Sequence, residues 1–129
     1  MLRRPVHTLS DLSEAVAEGL PKSTVRLVAR RLFASAAEQR LMTYRIAPEA
    51  TYKRRRDRLS PAESERTERL ARVIATVEYV WRSREDANRF LTPPHPGLKG
   101  QTPLHASLSE LGARQTEELL AKIEYGLPA

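Results

Sequence analysis

SPAESERTERLARVIATVEYVW, residues 60–81, is the stretch on which the fold turns. Ser60 and Glu63 have the spacing of a reciprocal capping box. Pro61 between them suits a first helical position, where a missing N–H costs nothing. Leu70, Val73, Ile74, Val77, Val80 and Trp81 then recur at helical spacing as one apolar stripe, which predicts that Trp81 lies in the core. The other face carries Glu65–Arg69, Glu68–Arg72 and Glu78–Arg82, each with the glutamate first. Such pairs contribute only about 0.2–0.5 kcal/mol each, so burial of the stripe must drive folding.

Working outward, almost every boundary carries helix-start chemistry and no stretch reads as a strand. Upstream, Ser10 precedes an amphipathic run with Leu12, Ala15 and Val16, which Gly19 and Pro21 end. Ser23 is placed to cap a second helix bearing Val25, Val28, Ala29 and Leu32. Ser35 and Glu38 form a further capping-box pattern, predicting a short third helix through Leu41 and a turn over Thr43–Ala47. Pro48 fits the first position of a fourth helix, Pro48–Arg58. Downstream, Ser83 and Asp86 start a short helix ending at Phe90 and Leu91. A Pro/Gly-rich connection, Thr92–Gln101, follows. Thr102 before Pro103 restarts a helical turn. A last helix begins near Ser109, carries Leu119, Leu120 and Ile123, and ends at Gly126.

The 129 residues suit one ordinary domain or two small helical ones, and an all-α fold is expected. Hydrophobic residues at 40% and charged residues at 29% are globular values. The absence of cysteine excludes disulfides, thiolate catalysis and zinc sites built on Cys. No apolar run approaches a membrane span, and MLRRPVHTLSDL lacks the apolar core of a secretory signal. A soluble, cytoplasmic protein with no membrane partner is therefore expected. Positive charge is concentrated in residues 1–58, with 13 Lys/Arg against 6 Asp/Glu, whereas residues 59–129 hold 9 against 10. A polyanion-facing front, 1–58, and a protein-facing rear, 59–129, follow from that split.

The third and fourth helices have the order of a helix-turn-helix, whose second helix enters the major groove of DNA while the first braces it. On that reading Thr51, Tyr52 and Arg55 are candidate base or sugar contacts. Lys53, Arg54, Arg56 and Arg45 are candidate phosphate contacts. Tyr44-Arg45 stand where such a turn usually has a small residue or glycine, so a helix-turn-helix that no longer touches DNA is an open alternative. His7, His95 and His105 are far apart with no metal-ligand spacing. No phosphate loop, GxSxG, HExxH or DxDxDG occurs. Neither an enzyme nor a cofactor is expected.

Four pieces in sequence then carry a resemblance: RLSPAESERTERLARVIATVEYVW, SREDANRFL, TPPHPGLKGQTPLHAS and EELLAKIEYGLPA. Residues 59–129 resemble the toxin-binding domain of Xre/MbcA/ParS-like antitoxins, the partners of RES-domain toxins. Residues 10–58 look like the family's front region, with AEGLP, a helix and an Xre-like helix-turn-helix. The resemblance implies a partner toxin that consumes NAD⁺ or uses it to modify a protein, and an antitoxin domain that masks the NAD⁺ pocket. The matching positions run from Pro93 to Leu104 and along the last helix to Leu127. They include Pro93, Pro94, His95, Pro96, Leu98, Lys99 and Gln101, then Lys122, Glu124, Tyr125, Gly126 and Leu127. The implied assembly is a homodimer that joins its toxin in a hetero-oligomer and represses its own operator. A stand-alone helix-turn-helix regulator without a toxin is the alternative.

Overall fold

In the computed structural model, which describes residues 8–126, the regular elements are helical, as expected. They are α1 (Leu9–Glu18), α2 (Ser23–Leu32), α3 (Ala36–Ile46), α4 (Glu49–Arg54), α5 (Pro61–Trp81) and α6 (Arg84–Leu91). A 3₁₀ turn at Pro96–Leu98, α7 (Pro103–Ala106) and α8 (Glu110–Glu124) follow. The chain forms two compact units, Met1–Glu68 and Arg69–Ala129, so the division falls inside α5, ten residues beyond the charge boundary at 58.

In the first unit α1 is capped by Thr8, whose side chain accepts from the Asp11 N–H at 3.0 Å, rather than by Ser10. Gly19 ends it with φ 98°, a conformation that suits glycine. Ser23 is the first residue of α2, not its cap. Lys22 holds the cap position while its N–H donates to Asp57 O, and Leu59 N–H donates to Leu20 O. These two bonds draw segment 20–22 against segment 57–59 and enclose α2, α3 and α4 between them. The buried core here includes Leu20, Val25, Val28, Leu32, Met42, Ile46, Tyr52 and Leu59.

The start of α5 ties into this unit. Glu63 N–H donates to Ser60 Oγ and Ser60 N–H donates back to Glu63 Oε1 at 2.8 Å, completing the predicted box. Ser64 Oγ accepts from the Leu20 N–H at 2.8 Å, and Arg66 Nε donates to Ile46 O at 2.9 Å. These bonds are the physical reason the first unit extends past residue 58.

The second unit buries Leu70, Val73, Ile74 and Val77 of α5, with Phe90 and Leu91, Leu98, Leu104, Leu119 and Leu120. Trp81 departs from expectation: it is exposed, 37% of its surface remaining open. The buried stripe ends at Val77, one turn before Trp81, and the chain leaves the helix at Arg82, which takes a left-handed conformation. Arg69 and Arg72, expected to pair along α5, also reach across to α8. Arg69 donates to Leu108 O at 2.8 Å and pairs with Glu110, and Arg72 pairs with Glu117 at 3.2 Å. Desolvation pushes the Glu110 carboxyl up, but Arg114, Arg69 and Arg72 together outweigh it and hold it below the ordinary glutamate range. Ser83 and Ser109 cap α6 and α8 as the sequence indicates, and Gly126 follows α8 with φ 68°.

Candidate functional site

The first candidate surface is the helix pair α3–α4. α3 runs through Ile46, so the predicted turn over Thr43–Ala47 is helix for all but its last residue. Nothing in Thr43–Ile46 breaks a helix, Met42, Thr43 and Ile46 are buried, and Thr43 Oγ1 donates to Gln39 O. The helix stops only where Ala47, preceding a proline, turns extended. Pro48 is the cap of α4 rather than its first residue, and α4 spans six residues instead of the eleven of Pro48–Arg58. It ends at Arg54 because the next residues are held elsewhere. Lys22 Nζ donates to Arg55 O, and the Arg55 guanidinium meets Glu63 through Nε at 3.1 Å and a terminal nitrogen at 3.3 Å.

The candidate DNA-contacting residues therefore divide. Lys53, Arg54 and Arg56 are exposed, Arg45 is exposed in the last turn of α3, and Thr51 is half-buried. Lys53 pairs with Glu49 one turn earlier at 2.8 Å, and that hydrogen bond raises its pKa. Arg54 leans on Thr51 Oγ1. Arg55 is the partner of a buried carboxylate, and Tyr52 is buried at 4% exposure. The ring of Tyr52 lies under Lys22 Nζ at 4.4 Å and edge-on to Tyr44. These two are thus corrected from surface readers to parts of the scaffold: α4 is too short to bury a core face without Tyr52. The Tyr52 hydroxyl stands 3.5 Å from Lys22 O, at the limit of hydrogen bonding. Tyr52→Phe is expected to change stability by less than about 1 kcal/mol in denaturant melts.

The second candidate surface is the connection after α6. It is built rather than slack. His95 N–H donates to Gln101 O at 3.0 Å, Gly100 N–H donates to His95 O, and His95 Nδ1 accepts from the Gly97 N–H at 2.9 Å. With Nδ1 accepting, the ring hydrogen sits on Nε2. Leu98 is buried and anchors the turn, so it is corrected from a partner contact to a core residue. Lys99 takes a left-handed conformation. Pro93, Pro94, Pro96, Lys99 and Gln101 are exposed around this anchor, and His95 is half-buried. The aromatic rings of Trp81, Phe90 and His95 follow one another at 6.3 and 5.9 Å. With Pro93, Asp86 and Arg89 they line a cleft of about 320 Å³. Sequence reasoning missed this cleft because it assigned Trp81 to the core. At the end of α8, Lys122, Glu124 and Gly126 are exposed, and Tyr125 is 73% exposed. Leu127 lies outside the described residues, as does His7.

Among the described residues, no group of three His, Asp or Glu side chains could hold a metal ion. No described helix is long and apolar enough to cross a membrane.

Comparison with known proteins agrees with this arrangement. Residues 11–72 match the antitoxin Xre-like helix-turn-helix domain, and residues 76–126 match the antitoxin Xre/MbcA/ParS C-terminal toxin-binding domain. A protein named antitoxin Xre from Pseudomonas putida is 34% identical over 84 residues. The match covers 63% of this chain and 53% of that protein, about half its length. The two domain matches succeed one another along the chain, the first holding α3 and α4 and the second the connection and α8. The chain belongs to the Xre/MbcA/ParS antitoxin family, with an Xre-like helix-turn-helix domain followed by a C-terminal toxin-binding domain.

Proposed function

We propose that this chain is the cytoplasmic antitoxin of a RES-domain toxin that consumes NAD⁺ or uses it to modify a protein. It acts by steric occlusion: the connection from Pro93 and the end of α8 cover the toxin's NAD⁺ pocket, without catalysis or a cofactor. The observation that carries the reading is the construction of the connection. Its exposed Pro96 and Lys99 are held by bonds internal to residues 95–101 and by the buried Leu98. A segment ordered before docking gives up little entropy on binding. The exposed Tyr125, Lys122 and Glu124 at the end of α8 offer a second contact. The chain also represses its own operon as a homodimer, with α4 presented to operator DNA and Lys53, Arg54, Arg56, Arg45 and Thr51 as the contacting set.

The test is co-purification with a RES-domain protein encoded beside it, followed by an NAD⁺-consumption assay. The full chain is expected to form a stable complex and suppress NAD⁺ loss. A chain ending at Glu124 keeps all of α8 and should weaken suppression by roughly 10-fold or more, the loss of about 1.4 kcal/mol of binding. Full suppression by the shortened chain would overturn occlusion by the terminal residues. Absence of any complex would overturn the toxin assignment and leave a stand-alone regulator.

A further inference from the structure

On α2 and its cap, Lys22, Arg26 and Arg30 stand four residues apart. Helical geometry puts them in one row, about 6 Å between neighbours and about 12 Å from end to end. Facing this row are Arg40 and Tyr44 of α3. A cavity of about 260 Å³ lies between the helices, lined by Arg26, Arg30, Gln39, Arg40, Tyr44 and the Tyr52 ring, with no carboxylate. A second depression of about 340 Å³ shares Arg26 and Tyr52, and adds Lys22, Arg56 and a single carboxylate, Asp57. The two form one groove with five cations against one acid. The side chains of Arg26 and Arg40 are exposed and make neither a hydrogen bond nor an ion pair among the described residues. Positive charge gathered in a concave wall that holds a single carboxylate focuses the potential on whatever anion enters.

We propose that this groove is a phosphate track that holds the sugar–phosphate backbone of duplex DNA beside α4. The inference rests on the operator-binding reading above and gives it a different contact surface. A 12 Å row is too long for one small anion. Successive phosphates of one strand lie about twice as far apart along the backbone as their 3.4 Å axial rise, so the row spans about two to three of them. Arg40 and Tyr44 stand on the first helix of the helix-turn-helix, the one that lies along the backbone in that motif. The basic run Lys53–Arg56 does not fill this role alone, since Arg55 is committed to Glu63 and Lys53 to Glu49.

The experiment is a fluorescence-anisotropy titration of the full chain at several salt concentrations. It uses a duplex carrying the DNA upstream of its own reading frame and a scrambled duplex of the same length. Arg26→Gln/Arg40→Gln is compared with wild type, with Arg26→Lys/Arg40→Lys and with Lys53→Gln/Arg54→Gln. A phosphate track predicts that the α2–α3 glutamine pair weakens both duplexes alike, by about 10-fold or more. The slope of log K against log salt should fall by about 2. The lysine pair should restore the slope, and the melting temperature should stay within the wild-type range. If wild type binds DNA and the glutamine pair binds equally well, the groove is not the track, although DNA binding stands. A loss confined to the upstream duplex would also overturn it, as would tighter binding to single-stranded RNA than to duplex DNA. If wild type binds neither duplex at about 50 mM salt, where phosphate contacts are strong, the operator reading falls and the groove with it.

Discussion

Alanine in place of Gly112 should melt the second unit early, by more than about 10 °C if the cost reaches 3 kcal/mol. Gly112 is buried in the first turn of α8, its N–H bonded to Ser109 Oγ at 3.0 Å. A methyl group there would collide with the Ala106 carbonyl oxygen and stand 2.8 Å from Ser109 Oγ. The obstacle is backbone, so it cannot swing aside. Alanine is about 1 kcal/mol better than glycine in a helix interior. Overpacking typically costs about 1–3 kcal/mol and more against a rigid neighbour, so the collision wins. The joint between α7 and α8 would open, and with it the seating of Leu119 and the Pro96–Leu98 turn. Thermal melts followed by circular dichroism decide the matter. A variant that melts within a few degrees of wild type would mean that α7 and α8 do not meet as described.

Glu63→Ala should cost the first unit about 2–4 kcal/mol at neutral pH. Glu63 is buried, its carboxylate accepting from the Ser60 N–H and from two nitrogens of Arg55. Removing it opens the capping box and leaves a guanidinium beside a pocket shaped for its partner. Arg55 is partly exposed, which lets water soften the loss and keeps the cost below that of a fully buried pair. Burial pushes the Glu63 carboxyl up, but the Ser60 N–H and Arg55 outweigh it, so its pKa is lowered on folding. A depressed carboxylate stabilises the fold fully above the unfolded-chain value of about 4.3, and the contribution is lost as pH falls through the lower folded value. Urea denaturation of wild type and Glu63→Ala should therefore converge as the solution is acidified below that point. An equal gap at neutral and acid pH would remove the ionic part of the argument.

How far the sequence could be read depended on whether a signal was local. Ser60/Glu63, Ser83/Asp86, Thr102-Pro103 and Gly126 act on neighbours three or four residues away, and each boundary they mark is in place. The α3–α4 turn was misread because Tyr44 and Arg45 are not turn residues. What keeps Thr43–Ile46 helical is burial of Met42 and Ile46, a tertiary effect. The end of α4 was equally hidden, since it depends on Glu63, eight residues beyond Arg55. Trp81 belonged to the stripe by periodicity, yet periodicity does not say where the core stops. The groove cations left a partial trace: Lys22, Arg26 and Arg30 recur at one-turn spacing. Their opposition to Arg40 needed the packing of α3 on α2.

The stretch from Thr51 to Arg56 has two tenants. Tyr52 and Arg55 serve the fold, one as core and the other as partner to a buried acid, while Lys53, Arg54 and Arg56 face outward. The two duties fall on separate positions, so divergence meets them separately. Substitutions at 53, 54 and 56 leave the interior untouched and change only the surface. Changes at 52 or 55 demand compensation inside the unit. A lineage descending from this sequence can thus remodel this outward surface through those three positions alone, while the interior of the unit stays as it is.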